Sequence, residues 1–153
     1  MIKNERQYAV TKRQVENFAR ALARLRAQPS GQAGVDPLLL KAEEDALRSQ
    51  LAELRADLRA YDALRTGGRT VLKLSSLDDL PRALIQARIS LGLSQKDLAQ
   101  RLKLKEQQIQ RYEATNYASA SLARLIRIGR ALSLKINAKA WTPASSGRSS
   151  GRS

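Results

Sequence analysis

Apolar positions in the first half of the chain fall into two helical stripes. Val15, Phe18, Leu22 and Leu25 recur at steps of three and four residues, the spacing that lines them up along one side of a helix. Ahead of them, Thr11-Lys12-Arg13-Gln14 fits a capping box, hydroxyl and amide each taking a free backbone N–H. A helix is therefore predicted from Thr11 to about Gln28. Pro29-Ser30-Gly31-Gln32-Ala33-Gly34 is a loop by composition. Asp36-Pro37 reads as an N-cap with proline at the first helical position. Leu40, Leu47, Leu51, Leu54, Leu58 and Tyr61 follow, stepping 4, 3, 4, 3 from Leu47, the a/d rhythm of a coiled coil. This second helix runs to about Arg65 and stops at Gly67-Gly68.

Stripes this narrow need a cover. The two helices are expected to fold back as an antiparallel hairpin, residues 1–66, and the hairpin to pair with a second copy into a small bundle. Docking of the hairpin on the rest of its own chain is the alternative. Residues 67–76 read as a linker. Within it, Arg69-Thr70-Val71-Leu72-Lys73-Leu74 alternates and is β-branched, as a short strand would be, and Leu134-Lys135-Ile136-Asn137 is a candidate to pair with it.

From residue 77 to 141 the pattern is helical again. A helix starts at Asp78 or Asp79, because Pro81 fits only a first turn, buries Leu80, Leu84, Ile85 and Ile89, and ends at Gly92. Ser94 caps the next helix, with Asp97 in the capping-box position and Leu98, Ala99 and Leu102 inward. After Lys103-Leu104 a third helix runs from Lys105 to about Ala114 on Ile109 and Tyr112. A fourth, near Ser121 to Leu132, is expected to bury Leu122, Leu125, Ile126 and Leu132, with Trp141 closing the core edge. Residues 142–153 repeat Ser-Ser-Gly-Arg, a low-complexity basic tail expected to be disordered. The fold class is all-α: a helical hairpin, then a four- to five-helix domain, with at most one or two very short strands.

Composition narrows the chemistry. Among 153 residues there is no Cys and no His, so thiolate zinc sites, cysteine nucleophiles and imidazole bases are absent. Glu43-Glu44-Asp45 does not converge, since neighbouring helical residues point apart. No metal, cofactor or enzyme assignment has a residue set behind it. No apolar run approaches the roughly 18 residues of a membrane span, and Met1–Gln7 has no signal-peptide apolar stretch, so the cytoplasm is the expected compartment. The net charge is +14, which suits a polyanion. It is uneven: +5 over residues 1–35, −2 over 36–68 and +9 over 69–139.

The most basic segment also carries a motif. Leu98-Ala99, Leu104 and Ile109 space two short helices about a tight turn, a helix-turn-helix. Ala99 is small where the third helix crosses, while Leu104 and Ile109 plug the shared core. The run Gly92-Leu93-Ser94-Gln95-Lys96-Asp97-Leu98-Ala99 to Ile109-Gln110-Arg111-Tyr112-Glu113 resembles the Xre/Cro-type helix-turn-helix regulators, whose fold is that of lambda repressor, over residues 78–134. The resemblance implies a bacterial transcriptional regulator that binds double-stranded DNA. It implies phosphate contact from Gln95, base reading from Glu106 and Gln107, with Arg111 one turn on, and a structural ion pair between Arg88 and Glu113. Three positions depart from the family pattern. Lys103 stands where glycine is usual, Glu106 places an acid at a base-reading position, and Ala114-Thr115 replaces Asn-Gly.

Residue chemistry sharpens the site. Gln107 can pair bidentately with adenine, Arg111 with guanine, and Glu106 can accept from cytosine. Lys96, Arg101, Lys103, Lys105, Gln108, Gln110, Asn116 and Tyr117 complete the set, as donors to phosphate or neighbours of the reading positions. The expected dimer or partner surface is Val15, Phe18, Leu22, Leu25, Leu40, Leu47, Leu51, Leu54, Leu58 and Tyr61. The leading expectation is a homodimeric repressor on an inverted repeat. Its rival is an antitoxin whose N-terminal helices neutralise a toxin protein, a looser resemblance. An RNA-binding reading lacks the aromatic stacking surface such modules use.

Overall fold

The computed structural model describes residues 1–28, 34, 36–68 and 70–143. The tail beyond Pro143, most of the loop after Gln28, and Arg69 lie outside the described residues. Six α-helices form among the described residues: α1 (Glu5–Ala27), α2 (Pro37–Thr66), α3 (Leu80–Ser90), α4 (Gln95–Leu102), α5 (Glu106–Ala114) and α6 (Leu122–Ala131).

Helix α1 begins six residues earlier than Thr11. Asn4 caps it, accepting from the Gln7 amide at 2.9 Å, and the Lys3 amide donates to Gln7 Oε1 at 2.8 Å. An asparagine cap is as effective as threonine, and Tyr8 on the added turns supplies an anchor that the stripe from Val15 does not include. Helix α2 starts as expected, with Asp36 accepting from the Leu38 amide at 2.9 Å and Pro37 in the first turn. The hairpin is antiparallel, because Glu5 meets Arg65 at 3.1 Å at one end and Arg26 meets Glu44 at 2.9 Å at the other.

The two ends of the hairpin differ. At the open end, Tyr8 and Tyr61 pack ring to ring at 5.2 Å, Tyr8 donates to Asp62 at 3.1 Å and Tyr61 to Glu5 at 3.3 Å. Ile2 and Tyr61 belong to the same buried cluster as Leu84, Leu98 and Ile109. This end is docked on the C-terminal domain, the alternative named above. Farther out, Val15, Phe18, Leu22, Leu25, Leu40, Leu47 and Leu54 are only half-buried and Leu51 alone is fully buried.

The C-terminal core draws one fully enclosed side chain or two from each of its helices: Leu84 and Ile85, Leu98, Ile109, Ile128. Ser76 opens the domain through a capping box with Asp79 and one 3₁₀ turn, Leu77–Asp79, before α3. Four helices in succession then stop in the same way. Gly92, Lys103, Asn116 and Ser133 each adopt positive φ, between 48° and 66°. In each case the next residue's amide reaches back five positions: Leu93 to Arg88, Leu104 to Ala99, Tyr117 to Tyr112 and Leu134 to Gly129. This is the Schellman arrangement, in which an apolar residue after the left-handed one packs back on the helix. Leu93, Leu104, Tyr117 and Leu134 all join the core cluster. The device is what the spacing "Lys103-Leu104" encodes, with glycine at only one of the four stops.

A left-handed lysine costs on the order of 1 kcal/mol. Lys103→Gly is therefore expected to raise stability by about 0.5–1 kcal/mol, read as a higher urea midpoint with unchanged slope. An unchanged or lower midpoint would show that the turn carries no strain.

Several expectations are corrected. Leu122 and Ile126 are 66% and 47% exposed; Ile128 is buried in their place, and Leu132 is buried as expected. Leu122, Leu125, Ile126 and Ile128 of α6 and its C-cap Leu132 spread over an arc of about 160°, and the side through Leu125, Ile128 and Leu132 is the one that meets the core. Trp141 is 86% exposed and closes nothing. Leu80 is only half-buried. No strand forms among the described residues, so residues 70–74 and 134–137 do not pair. Leu72 and Leu134 instead pack as single side chains on the helical core.

Candidate nucleic-acid interface

The first and second helices of the motif are α4 and α5. Ser94 and Asp97 cap α4 reciprocally: the Asp97 amide donates to Ser94 Oγ at 3.0 Å, and the Ser94 amide to Asp97 Oδ2 at 2.8 Å. The Ser94 hydroxyl and amide hold the Asp97 carboxyl below the usual carboxylate range. Helix α5 anchors itself by Ile109 and Glu113, both fully buried. Gln107 and Arg111 sit two residues to either side of Ile109, about 200° round the helix, and both are exposed. Glu106, Gln108 and Gln110 are exposed as well, with Gln110 donating to Glu106 Oε1 at 3.1 Å. Lys96, Lys103, Lys105 and Asn116 are exposed too, Lys103 and Lys105 just before α5 and Asn116 just after it.

Beneath it lies a closed ionic network. Arg88 Nε meets Glu113 Oε1 at 2.6 Å, and Arg88 Nη2 meets Oε2 at 2.7 Å, with both side chains essentially inaccessible. Arg88 Nη1 donates to the Leu93 carbonyl at 2.8 Å and Nη2 also to the Lys3 carbonyl. Gln95 Nε2 donates to Glu113 Oε2 at 2.8 Å. Every polar atom of the pair is occupied, which a buried pair requires. Lys3 and Asn4 are part of this network. Lys3 Nζ donates to the Glu113 carbonyl and to Asn116 Oδ1, at the C-terminal end of α5, where a cation suits the helix dipole.

Two of the expected DNA contacts are not on the surface. Gln95 is 8% exposed, its amide committed to Glu113 and its oxygen accepting from Asn4 Nδ2 at 3.4 Å. Tyr117 is 3% exposed, its ring stacked 5.9 Å from Tyr112. Burial pushes its hydroxyl pKa well up, and phosphate cannot reach it. Its place after the left-handed Asn116 turns it inward as the hydrophobic plug of the α5 stop. Arg101 also faces elsewhere: it donates to the Ala131 carbonyl at 3.3 Å, while Arg127 donates to the Leu102 carbonyl at 2.9 Å. Each arginine caps the other's helix.

Ile2, Lys3 and Asn4 join the site without a motif to announce them. Their only signal was an apolar residue followed by an asparagine cap, ahead of the stripe that set the helix start. A groove of about 980 Å³ runs beside α5, between Arg6, Gln7 and Val10 of α1 and Glu106, Gln110 and Ala114 of α5. Among the described residues no group of three or more Cys, Asp or Glu side chains converges as a metal site would, and no described helix is long and apolar enough to cross a membrane.

Residues 84–138 match the model of a family described as helix-turn-helix. No curated protein and no solved structure matched the chain.

Proposed function

Because residues 84–138 form a helix-turn-helix domain of the Xre kind, a DNA-binding regulator domain, we propose that the protein is a homodimeric repressor that reads an inverted repeat in cytoplasmic DNA. The observation that carries this reading is the exposed face of α5. Gln107 and Arg111 stand one turn apart opposite the buried Ile109 and Glu113, with exposed lysines around them. A helix presented this way fits a major groove about 12 Å wide. Gln107 pairs with adenine and Arg111 with guanine, while Lys96, Lys103, Lys105 and Gln108 touch phosphates.

Fluorescence anisotropy on the protein's own upstream region, beside a scrambled duplex at two salt concentrations, tests specificity. A preference of about a thousandfold or more is expected of a specific regulator. Equal, salt-sensitive binding to both duplexes would remove the sequence-specific reading.

The half-buried outer stripe of the hairpin is the proposed dimer surface, Val15, Phe18, Leu22 and Leu25 against Leu40, Leu47 and Leu54. Two copies joined there would bind half-sites about 10–10.5 bp apart, or a multiple of that. Light scattering should give twice the chain mass for the wild type and the chain mass for L22K/L47K. A monomeric wild type would exclude the dimer.

The exposed leucines at the hairpin tip, Leu38 at 74% and Leu39 at 64%, favour a second reading. In it the protein is an antitoxin, and the acidic α2 receives a basic toxin. Isolation as a stable complex with a small neighbouring gene product, in place of the homodimer, would select it.

A further inference from the structure

The strongest charge feature outside the motif is on α1. Arg6, Arg13, Arg20 and Arg24 are spaced by seven, seven and four residues. At 100° per residue they fall within an arc of about 40°, opposite the side that faces α2. All four are exposed, and none has a carboxylate within ion-pairing distance among the described residues. Arg20 only donates to Asn17, one turn back, at 2.6 Å. Of the two acids of α1, Glu5 is taken by Arg65 and Tyr61, and Glu16 stands one turn before Arg20 without an ion pair to it among the described residues. Arginines that cap helices or close ion pairs elsewhere in the fold have partners on other elements; among the described residues these four have none off α1.

Their placement says what they face. Arg6 lines the same groove as Glu106, Gln110 and Ala114 of α5, so the row starts beside the groove-reading helix and leads away from it. From Arg6 to Arg24 is 18 residues, about 27 Å of helix, or about eight base-pair steps at 3.4 Å. Guanidinium groups spaced along a rigid helix match a phosphodiester backbone, which Arg binds with a planar fork.

We propose that the arginine row of α1 is a second DNA-binding surface, holding the phosphate backbone of the duplex that flanks the site read by α5. This rests on the DNA-binding reading above. It gives the hairpin a role on DNA besides any pairing of subunits, and it makes the footprint longer than the helix-turn-helix alone would protect. The contacts are to phosphates, so they add affinity without sequence preference.

The test is the salt dependence of binding by the full chain to a 40-bp duplex from its own upstream region. Counterion release gives a slope of about −0.9 per phosphate neutralised. The R6Q/R13Q/R20Q/R24Q variant keeps helix-forming side chains on an exposed face, and its fold is checked by circular dichroism. It should flatten the slope by about 3.6 for each protomer bound, about 7 for the dimer, and leave the ratio of specific to scrambled binding unchanged. The charge-matched control K41Q/R48Q/R55Q/R59Q, on α2, should change the slope by less than 1. Trimming the duplex to 16 bp should erase the difference between the wild type and the α1 variant.

Equal slopes for the α1 variant and the wild type would overturn the proposal while leaving the DNA-binding reading intact. Equal flattening by both variants would also overturn it, assigning the effect to net charge. Loss by the α1 variant of binding to single-stranded RNA or to phosphatidylserine vesicles, with duplex binding unchanged, would assign the row to another polyanion. Absence of any duplex binding by the wild type would overturn both readings.

Discussion

Glu113→Ala should destabilise the C-terminal domain by about 3–5 kcal/mol, because it leaves the Arg88 cation buried without its partner. A small domain holds only about 5–15 kcal/mol in all, so the urea midpoint should fall to a fraction of the wild-type value. The loss should spread through the network. Arg88 also holds the Lys3 and Leu93 carbonyls, and Gln95 donates to Glu113. Loosening the carboxylate therefore frees the N-terminal segment and the start of α4 together. Replacing both ions with apolar residues of similar volume, R88M/E113L, should recover only part of the stability: the unpaired charge is gone, but the Lys3 and Leu93 carbonyls and the Gln95 amide lose their partners. A loss below about 1 kcal/mol for Glu113→Ala would mean that water reaches the pair and that it behaves as a surface bridge.

Replacing Gln107 and Arg111 by alanine should remove most of the sequence preference while leaving the fold unchanged. Each bidentate base contact is worth about 1–3 kcal/mol of discrimination. Losing both should cut the ratio of specific to scrambled binding by about a hundredfold or more, with the free energy of urea unfolding changed by less than about 0.5 kcal/mol, since both side chains are exposed. Lys105→Ala, by contrast, should weaken binding to both duplexes alike, as a phosphate contact does. An unchanged ratio in the double variant would show that α5 does not read bases through these residues.

The ion pair was legible in sequence because the helix-turn-helix resemblance places an arginine on the helix before the motif and a glutamate at the end of the motif's second helix. Its completeness was not. The third and fourth partners, Lys3 and Gln95, come from 85 residues upstream and from the first turn of α4. A local pattern cannot say which long polar side chain turns inward. Gln95 reads as an exposed helix-start residue until Asn4 and Glu113 are set beside it.

Charge was the least legible feature. The excess of +14 pointed to a polyanion, yet much of the basic surface has structural work. Arg101 and Arg127 cap helices, Lys3 closes the end of α5, and Arg88 is buried. Sequence counts these cations alike. Only their partners separate the ones that hold the fold from those left free on α1 and α5.

The sequence by itself determined the helices, their order and most of their caps. Asp36-Pro37, the Ser94 and Asp97 box and the turn at Lys103-Leu104 are local chemistry, decided by side chains within a few residues of the backbone groups they satisfy. It also determined the face of α5 that is free, because Ile109 and Glu113 can be buried only if Gln107 and Arg111 point away. Tertiary structure alone decided the rest. It seated Ile2 and Tyr61 in the C-terminal core, turned Ile128 inward in place of Leu122 and Ile126, and hid Tyr117. Each of these is a choice between apolar or amphipathic faces that are equivalent along one helix, and it is made by whichever neighbouring helix closes over one of them.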